Sequence, residues 1–165
     1  MFRRIAFGFV ILFTLIAAAS AQIPTKGDIF FGYSYNNADF NGAGRANLNG
    51  WEGSLEGKVF PYVGIVADIS GHYGMGDSIH NVIFGPQVSV PIGKFTPFAH
   101  ALIGVGHISG NSSSDTSFSD AFGGGIDYRL IHGIGWRFQL DALQTRFYSQ
   151  TQDDVRFSTG IVLHF

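Results

Sequence analysis

Residues 155–165 alternate without a break: Val155, Phe157, Thr159, Ile161, Leu163 and Phe165 fall on one side, and Arg156, Ser158, Gly160, Val162 and His164 on the other. A period of two is that of a β-strand, whose successive side chains point to opposite faces. The pattern recurs upstream. Ile29, Phe31, Tyr33 and Tyr35 oppose Asp28, Gly32 and Ser34 in residues 27–35, and Trp51, Leu55 and Val59 oppose Glu52, Ser54, Glu56 and Lys58 in residues 49–60. Residues 63–73 set Val63, Ile65, Ala67 and Ile69 against Asp68, Ser70 and His72, and residues 80–90 carry Val82, Phe84, Val88 and Val90 on the apolar side. Residues 95–107 show Ala99, Ala101, Ile103 and Val105 against His100, Gly104 and Gly106. Residues 121–130 place Phe122, Ile126, Tyr128 and Leu130 opposite Asp127 and Arg129, and residues 135–147 place Trp136, Phe138, Leu140 and Ala142 opposite Arg137, Gln139 and Asp141. Pro86 lacks the N–H of a ladder donor, so a bulge or a shifted strand boundary is predicted there.

The connections alternate too. Short turns at 61–62, 91–94 and 131–134 separate polar, Asn-, Gly- or Ser-rich links at 36–47, 74–78, 109–119 and 148–153. Eight strands with short turns at one end and long loops at the other predict an all-β, antiparallel up-and-down barrel. About 9–11 tilted residues cross the hydrocarbon of a bilayer, and a closed barrel leaves no unpaired backbone edge in lipid. Alternation alone does not tell inside from outside. Phe165 and the aromatics near strand ends (Tyr35, Trp51, Tyr73, Trp136), placed like interfacial girdles, predict an apolar exterior and a transmembrane barrel.

The start of the chain fits export. Arg3 and Arg4 precede the apolar run 5–16, and small residues lead to Ala19-Ser20-Ala21, so residues 1–21 read as a signal peptide and 22–165 as the barrel domain. There is no Cys, hence no disulfide framework. Charged residues are only 13%, while Phe numbers 17 and Gly 23, which suits a wall facing lipid with closely packed backbones. The formal net charge of −2 becomes more negative when Arg3 and Arg4 leave with the leader, which argues against a nucleic-acid partner.

The apolar alternation ending on Phe165 resembles the assembly signal of bacterial outer-membrane barrels. Phe84-Gly85-Pro86, Pro97-Phe98-Ala99-His100-Ala101 and Gly123-Gly124-Gly125-Ile126-Asp127-Tyr128 resemble strands of the small OmpA/OmpX/opacity-type outer-membrane β-barrel family. The resemblance implies residence in the cell outer membrane, contact with its lipid and lipopolysaccharide, insertion by the barrel-assembly machinery, and surface ligands met through the long loops. It implies no cofactor.

An eight-stranded barrel is just wide enough for its own side chains to fill it. The expectation is a plug in which Glu52 and Glu56 close on Arg137, extended by Lys58, Asp127, Arg129 and Asp141, with Arg156 facing the same lumen. The six histidines show no metal-ligand spacing on one element. His107 and Ser109 share a face, and Asp120 opens the next strand, an arrangement similar to the lipid A deacylase type of esterase. Gly110 follows the serine where that type carries Asn. Three readings follow: a non-enzymatic outer-membrane barrel, a lipid A deacylase-like esterase using His107 and Ser109, and a soluble lipocalin-like barrel with its apolar face turned inward.

Overall fold

The computed structural model describes residues 26–39, 44–74, 76–110, 114–146 and 152–165. The signal-peptide reading of residues 1–21 lies outside them. Eight strands, β1 (Gly27–Asp39), β2 (Arg45–Phe60), β3 (Val63–Gly74), β4 (Asp77–Ser89), β5 (Phe95–Ser109), β6 (Ser114–Ile131), β7 (Ile134–Thr145) and β8 (Gln152–His164), pair antiparallel in chain order. β8 closes the barrel on β1, with Asp28 opposite His164 at one end and Asn37 opposite Val155 at the other. Closure gives every strand two neighbours, so no backbone edge is left for lipid to strand.

The short turns fall where the sequence predicts. Gly93 and Gly133 adopt positive φ of 63° and 79° there, which side-chain-bearing residues rarely accept. Bulges sit beside two of these turns, between Lys58 and Phe60 and between Arg129 and Ile131. Pro86 makes no bulge. It keeps register opposite Ile65, and on its other side the β4–β5 ladder lapses between Phe84 and Gln87 while the register is held. The missing N–H interrupts pairing with β5 and shifts nothing.

Three of the four links at the opposite end are shorter than the sequence predicts, and the fourth keeps its length but moves to 146–151 because β7 ends at Thr145, two residues early. β1 continues to Asp39 and β2 begins at Arg45, β4 begins at Asp77, and β6 begins at Ser114. The polar residues read as loop form cross-strand bonds instead: Tyr35 Oη donates to Asn47 Oδ1 at 2.7 Å, Asn37 Nδ2 donates to the same oxygen at 2.8 Å, and His107 Nδ1 meets Thr116 Oγ1 at 2.7 Å. Strands that leave the apolar belt need no outward hydrophobes, so apolar alternation fades before the strand does.

Inside and outside are decided by which face is covered. The apolar set is exposed, Phe31 at 65% and Phe84 and Leu140 at 57%, whereas Glu52 and Arg156 are at 0%. A continuous exposed apolar belt of this kind requires a nonaqueous surrounding. Thr159, polar on that outward face, donates its hydroxyl to Arg137 O at 3.0 Å and accepts the Trp136 indole N–H at 2.8 Å, as a polar group facing lipid must. This orientation removes the lipocalin-like reading, which needs the apolar set inside.

The lumen is less uniformly polar than predicted. Val66, Ile83, Leu102, Ala121 and Leu143 form one inward apolar cluster, and Ala38, Leu48, Ile79 and Ile108 another. Ile83, Leu102 and Leu143 each sit beside an outward apolar neighbour, so runs such as Ala101-Leu102-Ile103 conceal the inward member.

Candidate functional site

The largest concentration of chemistry is the charged half of the lumen. Arg156 faces inward on β8, opposite Asn36 on β1 and Asp141 on β7. Its guanidinium forks onto Asp68, with Nη1 and Nη2 each 3.0 Å from a carboxylate oxygen. Nε and Nη2 donate to Asp141 Oδ2 at 2.9 and 2.7 Å, Nη1 to Ser70 Oγ at 3.2 Å, and Glu52 Oε2 lies 3.3 Å from Nε. Three carboxylates therefore share one guanidinium, and neutral donors supply the rest. Gln139 Nε2 bridges Glu52 and Asp141 at 2.8 Å each, and Ser158 donates to Glu52 at 2.5 Å.

From this centre a continuous chain runs to the short-turn mouth. His100 Nε2 lies 2.8 Å from Asp141 Oδ1, and its Nδ1 lies 3.4 Å from Gln87 Oε1. Gln87 Nε2 donates to Glu56 at 2.7 Å, and Glu56 accepts Lys58 Nζ at 2.6 Å. Lys58 is also 3.8 Å from Asp28, whose carboxylate takes His164 Nδ1 at 2.6 Å. Beside it, Arg137 holds Asp127 bidentate at 2.7 and 2.8 Å, its guanidinium over Phe30 and Phe98 with ring centroids at 5.2 and 4.4 Å. Gly64 and Gly123 make room: a Cβ at either would collide with the Glu56 or the Asp141 carboxylate.

The pairings thus differ from those predicted. Arg156 is the hub in place of Arg137, Glu52 closes on Arg156, and Glu56 on Lys58. Asp127 and Asp141 lie in the buried lumen as expected, but Arg129, although of inward parity, is exposed at the rim past the last lumen layer. Asp68, His100 and Gln87 were not among the expected plug residues. Asp68 carried the signal, an inward carboxylate, yet nothing in the chain reveals that strands 3 and 8 face each other across the lumen. Phe165 stands on the outer face, tied to Gly27 by N–H···O bonds of 2.9 and 3.0 Å.

The esterase geometry does not assemble. The His107 ring bonds Thr116, Ser109 lies opposite Ser114, and Asp120 pairs with Ile103. The step from Thr116 to Asp120 is about 13 Å along the strand at ~3.3 Å per residue, so Asp120 cannot orient the imidazole. Ligand atoms of Asp28, Asp127 and His164 converge within 4.8 Å, a grouping invisible in the spacing of the chain. Arg137 already holds Asp127, and Lys58 with His164 holds Asp28, so residues of the chain balance the charge there.

No protein-family model matches the sequence, and no curated protein matches it either. Solved structures do match. Neisserial surface protein A (NspA) superposes with a TM-score of 0.72 at 10% identity, over 85% of this chain and 97% of that one. The fold is that of the small outer-membrane β-barrels. Ail, the attachment invasion locus protein of Yersinia pestis, gives 0.61 at 14% identity, over 87% of this chain and 100% of Ail. The N-terminal β-barrel domain of Pseudomonas aeruginosa OprF gives 0.59 at 12% identity over 87% of this chain and 100% of that domain. At such identities the likeness shows the barrel fold alone.

Proposed function

We propose that this chain is a non-enzymatic integral protein of the cell outer membrane, with a self-plugged lumen and a structural role in the envelope. The observation that carries the reading is the pairing of an exposed apolar belt with a lumen whose charged groups, centred on Arg156, are buried and hydrogen-bonded to one another and to Gln139 and Ser158. The plug leaves no interior ligand site among the described residues of that centre. Surface interaction then falls to the end where strands project beyond the belt, through outward Asn37, Asn47, Asn49, Ser78 and Thr116. Lipopolysaccharide and outer-membrane lipid surround the belt, and the barrel-assembly machinery inserts the chain, with Phe165 on its terminal strand as the signal. Separation of expressing cells on a sucrose gradient tests the location. The chain should band with the outer membrane and run faster unheated than boiled on a gel, and recovery from the periplasm as a soluble species would refute it.

A further inference from the structure

Two histidines far apart along the chain are brought face to face by the register of β4 and β5. His80 stands directly opposite His107, and both share the outward face with Val82, Phe84, Ile103 and Val105. Directly opposite positions on antiparallel strands hold their Cβ atoms about 4.5–5.5 Å apart. The pair lies where the apolar belt ends. The next outward pair toward the short turns is Val82 and Val105, and the next toward the projecting ends is Ser78 and Ser109. None of these four carries a charge. His107 is exposed and His80 half-buried, so the pair is open to ligands arriving from water.

The contacts of the two rings orient them. His107 Nδ1 lies 2.7 Å from Thr116 Oγ1, its partner on β6, on the side away from β4. His80 leans the other way. Its Nδ1 is 3.1 Å from where a Cβ on Gly71, its partner on β3, would stand, and the Tyr73 ring packs edge-on against it with centroids 5.5 Å apart. In an imidazole, Nδ1 and the Cδ2–Nε2 edge lie on opposite sides of the bond to Cβ. With both Nδ1 atoms turned away from the pair, the two Cδ2–Nε2 edges face the seam between β4 and β5. Where Nδ1–H of His107 donates to Thr116 Oγ1, Nε2 of that ring is left with a free lone pair, the second-partner arrangement that fixes the tautomer of metal-binding histidines.

We infer that His80 and His107 form a two-imidazole site for a late first-row divalent metal ion, copper(II), nickel(II) or zinc(II), held through the two Nε2 atoms with water in its remaining positions. Imidazole nitrogen suits these ions, whereas calcium and magnesium require oxygen ligands, and no carboxylate stands among the neighbouring outward pairs. Metal–nitrogen bonds of about 2.0–2.1 Å place two nitrogens roughly 3 Å apart around one ion, within reach of rings whose Cβ atoms are opposite one another. The bound ion would clip β4 to β5 where the strands leave the belt. The site needs only the strand register, so its failure would leave the outer-membrane reading untouched.

Copper(II) chloride titrated into the full folded chain in micelles, without an added histidine tag, reads the site by calorimetry, and electron paramagnetic resonance counts the coordinating nitrogens. The wild type should bind one equivalent through two equatorial nitrogens. His80→Gln and His107→Gln should each lower the affinity by at least about tenfold, because two donors fixed on one wall bind far better than either alone. Thr116→Val should lower it by about tenfold by releasing the His107 ring. His132→Gln, at the opposite rim, should change nothing. These four positions are not in the lumen, and heat-shifted gel mobility verifies the fold of every variant. Absence of binding, or binding that survives His80→Gln combined with His107→Gln, would overturn the inference. So would binding that is lost in a folded Asp28→Asn variant, which would put the ion at the Asp28, Asp127 and His164 grouping instead.

Discussion

Arg156→Ala should be the most damaging single substitution in the lumen. It removes the guanidinium shared by Glu52, Asp68 and Asp141 and leaves the three carboxylates buried together. Stripping one partner from a buried pair costs about 3–5 kcal/mol, against a total stability of about 5–15 kcal/mol for a typical folded domain. Urea unfolding in lipid vesicles, followed by the fluorescence of Trp51 and Trp136, should show the midpoint fall accordingly. Arg156→Lys should recover only part, because an ammonium cannot reproduce the two-oxygen fork onto Asp68. Adding Asp68→Asn to Arg156→Ala should restore part of the loss by deleting one unpaired charge. An unchanged midpoint for Arg156→Ala would remove Arg156 from the centre of the account.

The second large effect is on the outer wall. Phe138 faces outward on β7 between Ile126 and Thr159, near the middle of the apolar belt. Phe138→Arg places a cation against hydrocarbon and should cost about 2–4 kcal/mol of folded barrel, with assembly yield falling in step. The same change at Asn37, outward on β1 beyond the belt, should cost about 0–1 kcal/mol. A soluble barrel would treat both as ordinary surface positions, so equal costs would contradict a lipid-facing wall.

The two predictions draw on different depths of legibility. The Phe138 face could be read from the chain alone, because a period of two assigns each side chain to one face and a one-residue slip would expose every charge to lipid. The same rule put Glu52, Arg137 and Arg156 on the opposite face, which Phe165 and the strand-end aromatics made the inner one. It could not choose their partners. Which inward groups meet depends on the stagger of eight strands around the barrel, and that offset is set by closure of β8 on β1. Arg156 consequently meets Asp68 of β3 across the lumen, while Arg137 finds Asp127 directly opposite on β6. The second contact was hidden too: the tight turn at 132–133 alone would set Asp127 opposite Phe138, and the bulge between Arg129 and Ile131 shifts the register by one to bring Arg137 there. Arg129 illustrates the limit of parity: the correct face, at a height where the lumen has already opened.

Strand ends were the other gap. Residues 36–39 and 45–47 were read as part of a polar link rich in Asn, Gly and Ala, yet the inward Ala38 and Ala46, with Leu48 beside them, are buried. The inward apolar signal was present but short, and the polar ladder that extends the strands is formed only after pairing.

A barrel filled by its own side chains should not act as a channel. Recording from a planar bilayer into which the purified wild-type chain has been inserted tests this most directly. Traces should be indistinguishable from the bare bilayer, because Arg156 and its three carboxylates are buried in the lumen. A steady, large conductance from the wild-type protein would contradict it.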